Sequence, residues 1–154
     1  MIRPIVHDPF FLAQQSEPAT EADRQVITDL MDTLRANLDR CVGMAANMIG
    51  EKKRIIVFCN GLMQMVMVNP QITAKSGEYE TEEGCLSLAG TRKTKRYRKI
   101  TVTYQDQTFR NKTASFEGFT AQIIQHEIDH WSSVNKEPFL RDQENFLVMQ
   151  FSCS

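Results

Sequence analysis

The chain predicts an α+β fold in which small antiparallel sheets pack around a central helix carrying two histidines, with one amphipathic helix near the N-terminus. Three observations lead there. Apolar residues recur at helical spacing from about Thr20 to Leu38, apolar runs flank Asn60-Gly61 as in a hairpin, and strands are grouped ahead of a late helix without regular β-α alternation. With 154 residues, 42% of them hydrophobic and 24% charged, the chain reads as a single domain over residues 1–154 that buries a substantial core.

The first helix rests on Val26, Ile27, Leu30, Met31, Leu34 and Leu38, which share one stripe, with Thr20 as N-cap three residues before Asp23. Cys41-Val42-Gly43-Met44-Ala45-Ala46-Asn47-Met48-Ile49-Gly50 follows. Its small residues permit close backbone approach, and its glycines mark a turn or extended loop. Ile55 to Phe58 and Met63 to Asn69 are the hairpin strands, because Asn-Gly is the strongest short-range hairpin signal. Pro70 ends the second, and a less regular polar segment leads through Ser76-Gly77 to Glu82-Glu83-Gly84-Cys85-Leu86-Ser87.

From Arg98 to Tyr104 the apolar Ile100, Val102 and Tyr104 alternate with polar residues, which predicts a half-buried strand with Asp106 in the turn after it. Phe116 to Phe119 is its short hairpin partner. The second helix runs from about Thr120 to Ser132, with Ala121, Ile124 and Ile128 toward the core and His126 and His130 on a neighbouring stripe. Pro138 stops any continuation, and the tail from Leu140 to Phe151 closes as an edge strand or a helix.

Charge and cysteine usage narrow the function classes. Eighteen basic residues nearly balance nineteen acidic ones, so no overall field favours DNA or an anionic membrane. Arg92, Lys93, Lys95, Arg96, Arg98 and Lys99 form a local basic cluster, read first as a solvated strand or loop and second as a contact for acidic partners or ribosomal RNA. Met1 to Leu12 lacks the apolar core of a secretory signal. No stretch reaches the ~20 apolar residues of a membrane span, so a cytoplasmic protein is expected, with monomer as the default state. Cys41, Cys59, Cys85 and Cys153 show no paired spacing and are expected as free thiols.

His126-Glu127-Ile128-Asp129-His130 sets two imidazoles one helical turn apart with a carboxylate beside them. Taken singly, such a pair also occurs on solvated helices, Cys85 reads as a core cysteine, Gly43 and the alanines as a packing loop, and His7 as structural or surface. Together they point to one divalent ion held by Cys85, His126 and His130. A thiolate and two neutral imidazoles suit Zn²⁺ or Fe²⁺, and three protein ligands leave a position for water, as in catalytic sites. Glu127, about 100° round the helix from His126, is placed to be the general base. The reading is a metal-dependent hydrolase.

The chain resembles the peptide deformylases, a family marked by a Gly-x-Gly-x-Ala-Ala-x-Gln loop, a Glu-Gly-Cys-x-Ser segment and a Gln-His-Glu-x-x-His helix. Gly84, Cys85, Leu86 and Ser87 match the second motif, and Gln125, His126, Glu127 and His130 match the third. In the first, Gly43, Ala45 and Ala46 remain, while Cys41 replaces the opening glycine and Met48 the glutamine. Ala89 and Trp131-Ser132-Ser133 are secondary departures.

The resemblance implies removal of the formyl group from N-formylmethionyl peptides, with iron(II) as native ion and zinc or nickel able to replace it. It also implies that the backbone N–H of Leu86 meets the oxyanion, that the loop at Gly43, Met44, Ala45 and Met48 takes the peptide as an added strand, and that Arg92 contacts substrate. Met48 has no donor for the oxyanion, and losing one such donor costs ~10²–10³ in rate, so weakened activity is expected. Two other readings stand beside it: a silent metal-binding relative that binds nascent peptide or the ribosome, and another metal amidase or peptidase.

Overall fold

The computed structural model describes residues 1–12, 14–84 and 91–129. Their elements are α1 (Pro9–Leu12), α2 (Arg24–Ala36), β1 (Gly43–Ala45), β2 (Ile55–Asn60), β3 (Met63–Gly84), β4 (Thr91–Gln105), β5 (Asn111–Glu117) and α3 (Gly118–Asp129). The strands pair in chain order, each antiparallel to the next. The small sheets expected from sequence are thus one five-stranded meander, and the class is α+β.

The Thr20 signal works as the sequence requires. Asp23 Oδ2 accepts the Thr20 N–H at 2.9 Å, and a single 3₁₀ turn (Glu21–Asp23) runs straight into α2. Val26, Ile27, Leu30 and Leu34 are buried, with Met31 and Leu38 partly so. Each full burial of this kind is worth about 1.5–3 kcal/mol, so the stripe rather than helix propensity secures α2. β2 is buried along Ile55, Ile56, Val57 and Phe58, hence on both faces. Ile100 and Val102 of β4 and Ala121, Ile123 and Ile124 of α3 complete the core.

The β2–β3 hairpin forms, but its central pair is Gly61-Leu62, closed by Asn60 opposite Met63. Gly61 has φ 67°, at the position where type II′ turns place glycine. Pro70 does not end the second strand. Asn69 takes φ 51°, and the ladder slips between Val68 and Gln71 and again between Ile72 and Ala74. The missing N–H of Pro70 falls in that bulge, where the register gives it no partner. The Asn69 side chain fixes the kink, accepting from Ala19 N at 2.7 Å and donating to Ala19 O at 2.9 Å and Gln105 Oε1 at 3.0 Å.

Beyond the bulge, the polar segment expected to be irregular is strand as far as Gly84. It pairs with a β4 that starts at Thr91 rather than Arg98, and β5 likewise covers Asn111–Glu117 rather than Phe116 to Phe119. Alternation is visible in β4 only where one face is buried, at Ile100 and Val102; its first half is polar because it lies against the acidic half of β3. Asp106 does build the next turn, its Oδ1 accepting from the Thr108 N–H and hydroxyl and the Arg110 N–H. The Ser132 end of the last helix and residues 140–151 lie outside the described residues. Among the described residues no helix is long and apolar enough to cross a membrane.

Candidate active site

Two contacts set α3 on the sheet. The Gln125 amide accepts from Tyr97 N–H and donates to Tyr97 O, both at 2.9 Å, and donates to Ala121 O at 2.9 Å. One side chain therefore pairs with β4 as a strand would, fixing the helix's height and rotation. On the other side lies Gly43 of β1, where an added Cβ would sit 2.9 Å from Ile123 Cγ2 and 3.2 Å from Glu127 Oε1. Glycine is what lets α3 approach β1 so closely.

Glu83, near the end of β3, is the hub of the site. Its Oε2 accepts from Arg96 Nε and Gln122 Nε2, both at 2.9 Å, and its Oε1 accepts from Arg96 Nη2 at 2.8 Å. His126 Nδ1 lies 3.1 Å from the same Oε1. Arg96 reaches further, donating to Asp129 Oδ2 at 2.6 Å. Burial acts to raise the Glu83 pKa, but hydrogen bonds and charge from His126 and Arg96 overcome it and hold the carboxyl at about 2. An ionised carboxylate only accepts, so Nδ1 must carry its proton. The four partners then use roughly all four of its lone-pair sites. Held through Nδ1, the ring offers Nε2 as its candidate ligand atom, the arrangement in which a carboxylate orients a metal-ligating histidine.

Glu127 lies next along the helix and is 1% exposed. Burial is the main reason its pKa rises to about 7; His126 and Arg96 pull it down, while Glu83 and Asp129 push it up. A carboxyl that exchanges its proton near neutral pH, beside the Gly43 loop, is suited to acid–base work. Met48 is buried in the 3₁₀ turn after β1, its Sδ accepting from Ala45 N–H at 3.4 Å.

His126, Glu127, Gly43, Met44, Ala45 and Met48 are therefore located, and the structure brings Glu127 to Gly43 directly. Cys85, Leu86 and His130 lie outside the described residues, and Arg92 is placed by its backbone alone, opposite Glu83. Among the described residues no three metal-ligating side chains converge. His126 nonetheless fits a metal, because the Glu83 carboxylate at Nδ1 orients its ring.

Sequence reasoning missed Glu83, Arg96, Gln122 and Asp129 as site residues. It placed Arg96 in a solvated basic cluster, whereas Arg96 is buried and ion-paired. Lys93, Lys95, Arg98 and Lys99 are exposed on β4, opposite acidic β3: Lys93 faces Glu82, Lys95 faces Glu80 and bridges Glu78 at 3.4 Å. Arg98 stacks over Tyr79, 5.0 Å from the ring centroid. The one available signal was the adjacency of Glu83 to the Cys85 segment.

The chain matches the polypeptide deformylase family over residues 2–135. It is 61% identical over 134 residues to a peptide deformylase of Clostridium beijerinckii, covering 87% of this chain and 98% of that protein. Among solved structures, a peptide deformylase from Legionella pneumophila is similar with a TM-score of 0.75 and 32% identity, covering 94% of each chain. A Met-Ala-Ser-bound class I type b peptide deformylase from Acinetobacter baumannii is similar with a TM-score of 0.74 and 26% identity, covering 85% of this chain and 94% of that one.

Proposed function

The chain belongs to the peptide deformylase family and removes the N-formyl group from N-formylmethionyl peptides of nascent proteins; we propose that it does so as one domain over residues 1–154, with Cys85, His126 and His130 holding one divalent metal and Glu127 as general base. The family is metal-dependent. The observation that carries the ligand assignment is the Glu83 carboxylate on His126 Nδ1, 3.1 Å away. It supports Nε2 as the ligating nitrogen, since a carboxylate on the other ring nitrogen is the usual partner of a metal-bound histidine.

A sulfur and two imidazoles would lend the site an ion's Lewis acidity, which draws the pKa of water toward ~7 and polarises a carbonyl. The proton transfers belong to Glu127. Its carboxylate takes a proton as water adds to the formyl carbon and returns it to the amine nitrogen as the C–N bond breaks, releasing formate and a free methionyl amine. A pKa of about 7 lets one group do both at neutral pH. The Leu86 backbone N–H is assigned to the oxyanion. The peptide joins β1, an edge strand, along Gly43, Met44 and Ala45, with Met48 and Arg92 also contacting it.

Fe²⁺ is proposed as the native ion, with Zn²⁺ or Ni²⁺ as substitutes, in a cytoplasmic monomer. A transient ribosome contact belongs to the same proposal, with Lys93, Lys95, Arg98 and Lys99 as its exposed cations. Met48 supports a reduced rate, since its sulfur accepts a hydrogen bond and has none to give. Formate release from formyl-Met-Ala-Ser, using anaerobic protein loaded with iron or nickel, tests the proposal. Turnover lost in Cys85→Ala, His126→Ala and His130→Ala supports it; turnover retained in any of these overturns the ligand set. No turnover with any metal would favour a silent peptide-binding relative.

A further inference from the structure

Among the described residues β1 pairs with β2 alone, so alternate residues turn their N–H and C=O away from the sheet. The register says which. Cys59 N–H bonds Val42 O at 2.8 Å, and the pairing continues as Gly43 with Phe58, Met44 with Val57 and Ala45 with Ile56. Val42, through its carbonyl, and Met44 therefore bond to β2, and Gly43 and Ala45 face outward. Each outward residue meets a sulfur. The Cys41 thiol donates to Gly43 O at 2.9 Å, and Ala45 N–H donates to Met48 Sδ at 3.4 Å. These are the two residues, Cys41 and Met48, at which the loop departs from Gly-x-Gly-x-Ala-Ala-x-Gln, and both are buried.

We infer that Cys41 and Met48 set this chain's affinity for peptide, because their sulfurs occupy two of the four outward main-chain groups of Gly43 and Ala45 with which an added strand would pair. The inference rests on the proposed binding of peptide along β1. A thiol is a weak donor and a thioether a weak acceptor, so a peptide carbonyl and N–H displace them. In the free protein the sulfurs keep buried main-chain groups from being orphaned and close the edge to stray strands. Peptide gains correspondingly less than it would on unoccupied groups.

The test is titration of zinc-loaded, ¹⁵N-labelled protein with Met-Ala-Ser, the product tripeptide, following the Gly43 and Ala45 amide resonances. Cys41→Ser supplies a stronger donor to Gly43 O and should weaken binding by about three- to tenfold. Cys41→Ala removes the donor, and Met48→Leu removes the acceptor at nearly constant volume; each should tighten binding by a similar factor. Equal affinities in all variants, with the two resonances still moving, overturn the inference and leave peptide pairing on β1 standing. Resonances at 43–45 that stay fixed in the wild type overturn the pairing itself.

Discussion

Replacing Glu127 with glutamine should abolish turnover and, in the metal-free protein, strengthen the fold. Burial lifts this carboxyl from an ordinary 4.5 to about 7. A raised folded-state pKa means the native protein keeps a proton that the unfolded chain has released, so stability is full below pH 4.5 and is lost as pH rises through 7. The gap between 4.5 and 7, at about 1.4 kcal/mol per pH unit, amounts to about 3 kcal/mol once pH exceeds 7. Glutamine never ionises. Chelator-treated Glu127→Gln should therefore exceed chelator-treated wild type by about 3 kcal/mol at pH 8 and by less than about 1 kcal/mol at pH 5. Urea unfolding of both proteins at pH 5, 6, 7 and 8 reads this directly. A variant no more stable than wild type at pH 8, or a difference flat across the series, refutes the claim that the fold bears the cost of burying its general base.

Glu83→Gln should lower zinc affinity by about 10–100-fold, measured by chelator competition, because the His126 ring loses the carboxylate that fixes its tautomer. The same variant tests the depressed Glu83 pKa. The wild type's advantage over metal-free Glu83→Gln should be full above pH 4.5 and vanish as pH falls toward 2, and acid-denaturation curves would show it. Gly43→Ala should destabilise the protein by about 1–3 kcal/mol in urea, since its Cβ overlaps Ile123 on α3. Met48→Gln should raise kcat by up to ~10²-fold by adding an oxyanion donor, while KM rises because the amide oxygen holds Ala45 N–H more firmly than sulfur does.

What the sequence made legible was local pattern. The Val26, Ile27, Leu30 and Leu34 stripe located α2 because burial on one face writes a helical period into the chain. The Asn60-Gly61 signal placed the β2–β3 turn within a residue. Gly43 was read as a close-approach residue, and it is where α3 meets β1. Other features needed partners far away in the chain. Pro70 reads as a strand terminator unless Asn69 is known to be clamped by Ala19, fifty residues earlier. Arg96 reads as one cation among six until β3 brings Glu83 to it. Even the outward sulfurs of Cys41 and Met48 required the register of β1, because the chain alone shows only two departures from a motif.

X-ray absorption at the zinc edge of the loaded protein tests the metal centre most directly. One sulfur at about 2.3 Å and two imidazole nitrogens at about 2.0–2.1 Å are expected, with one oxygen atom completing the shell. A spectrum with no sulfur neighbour, or with two or more, contradicts it.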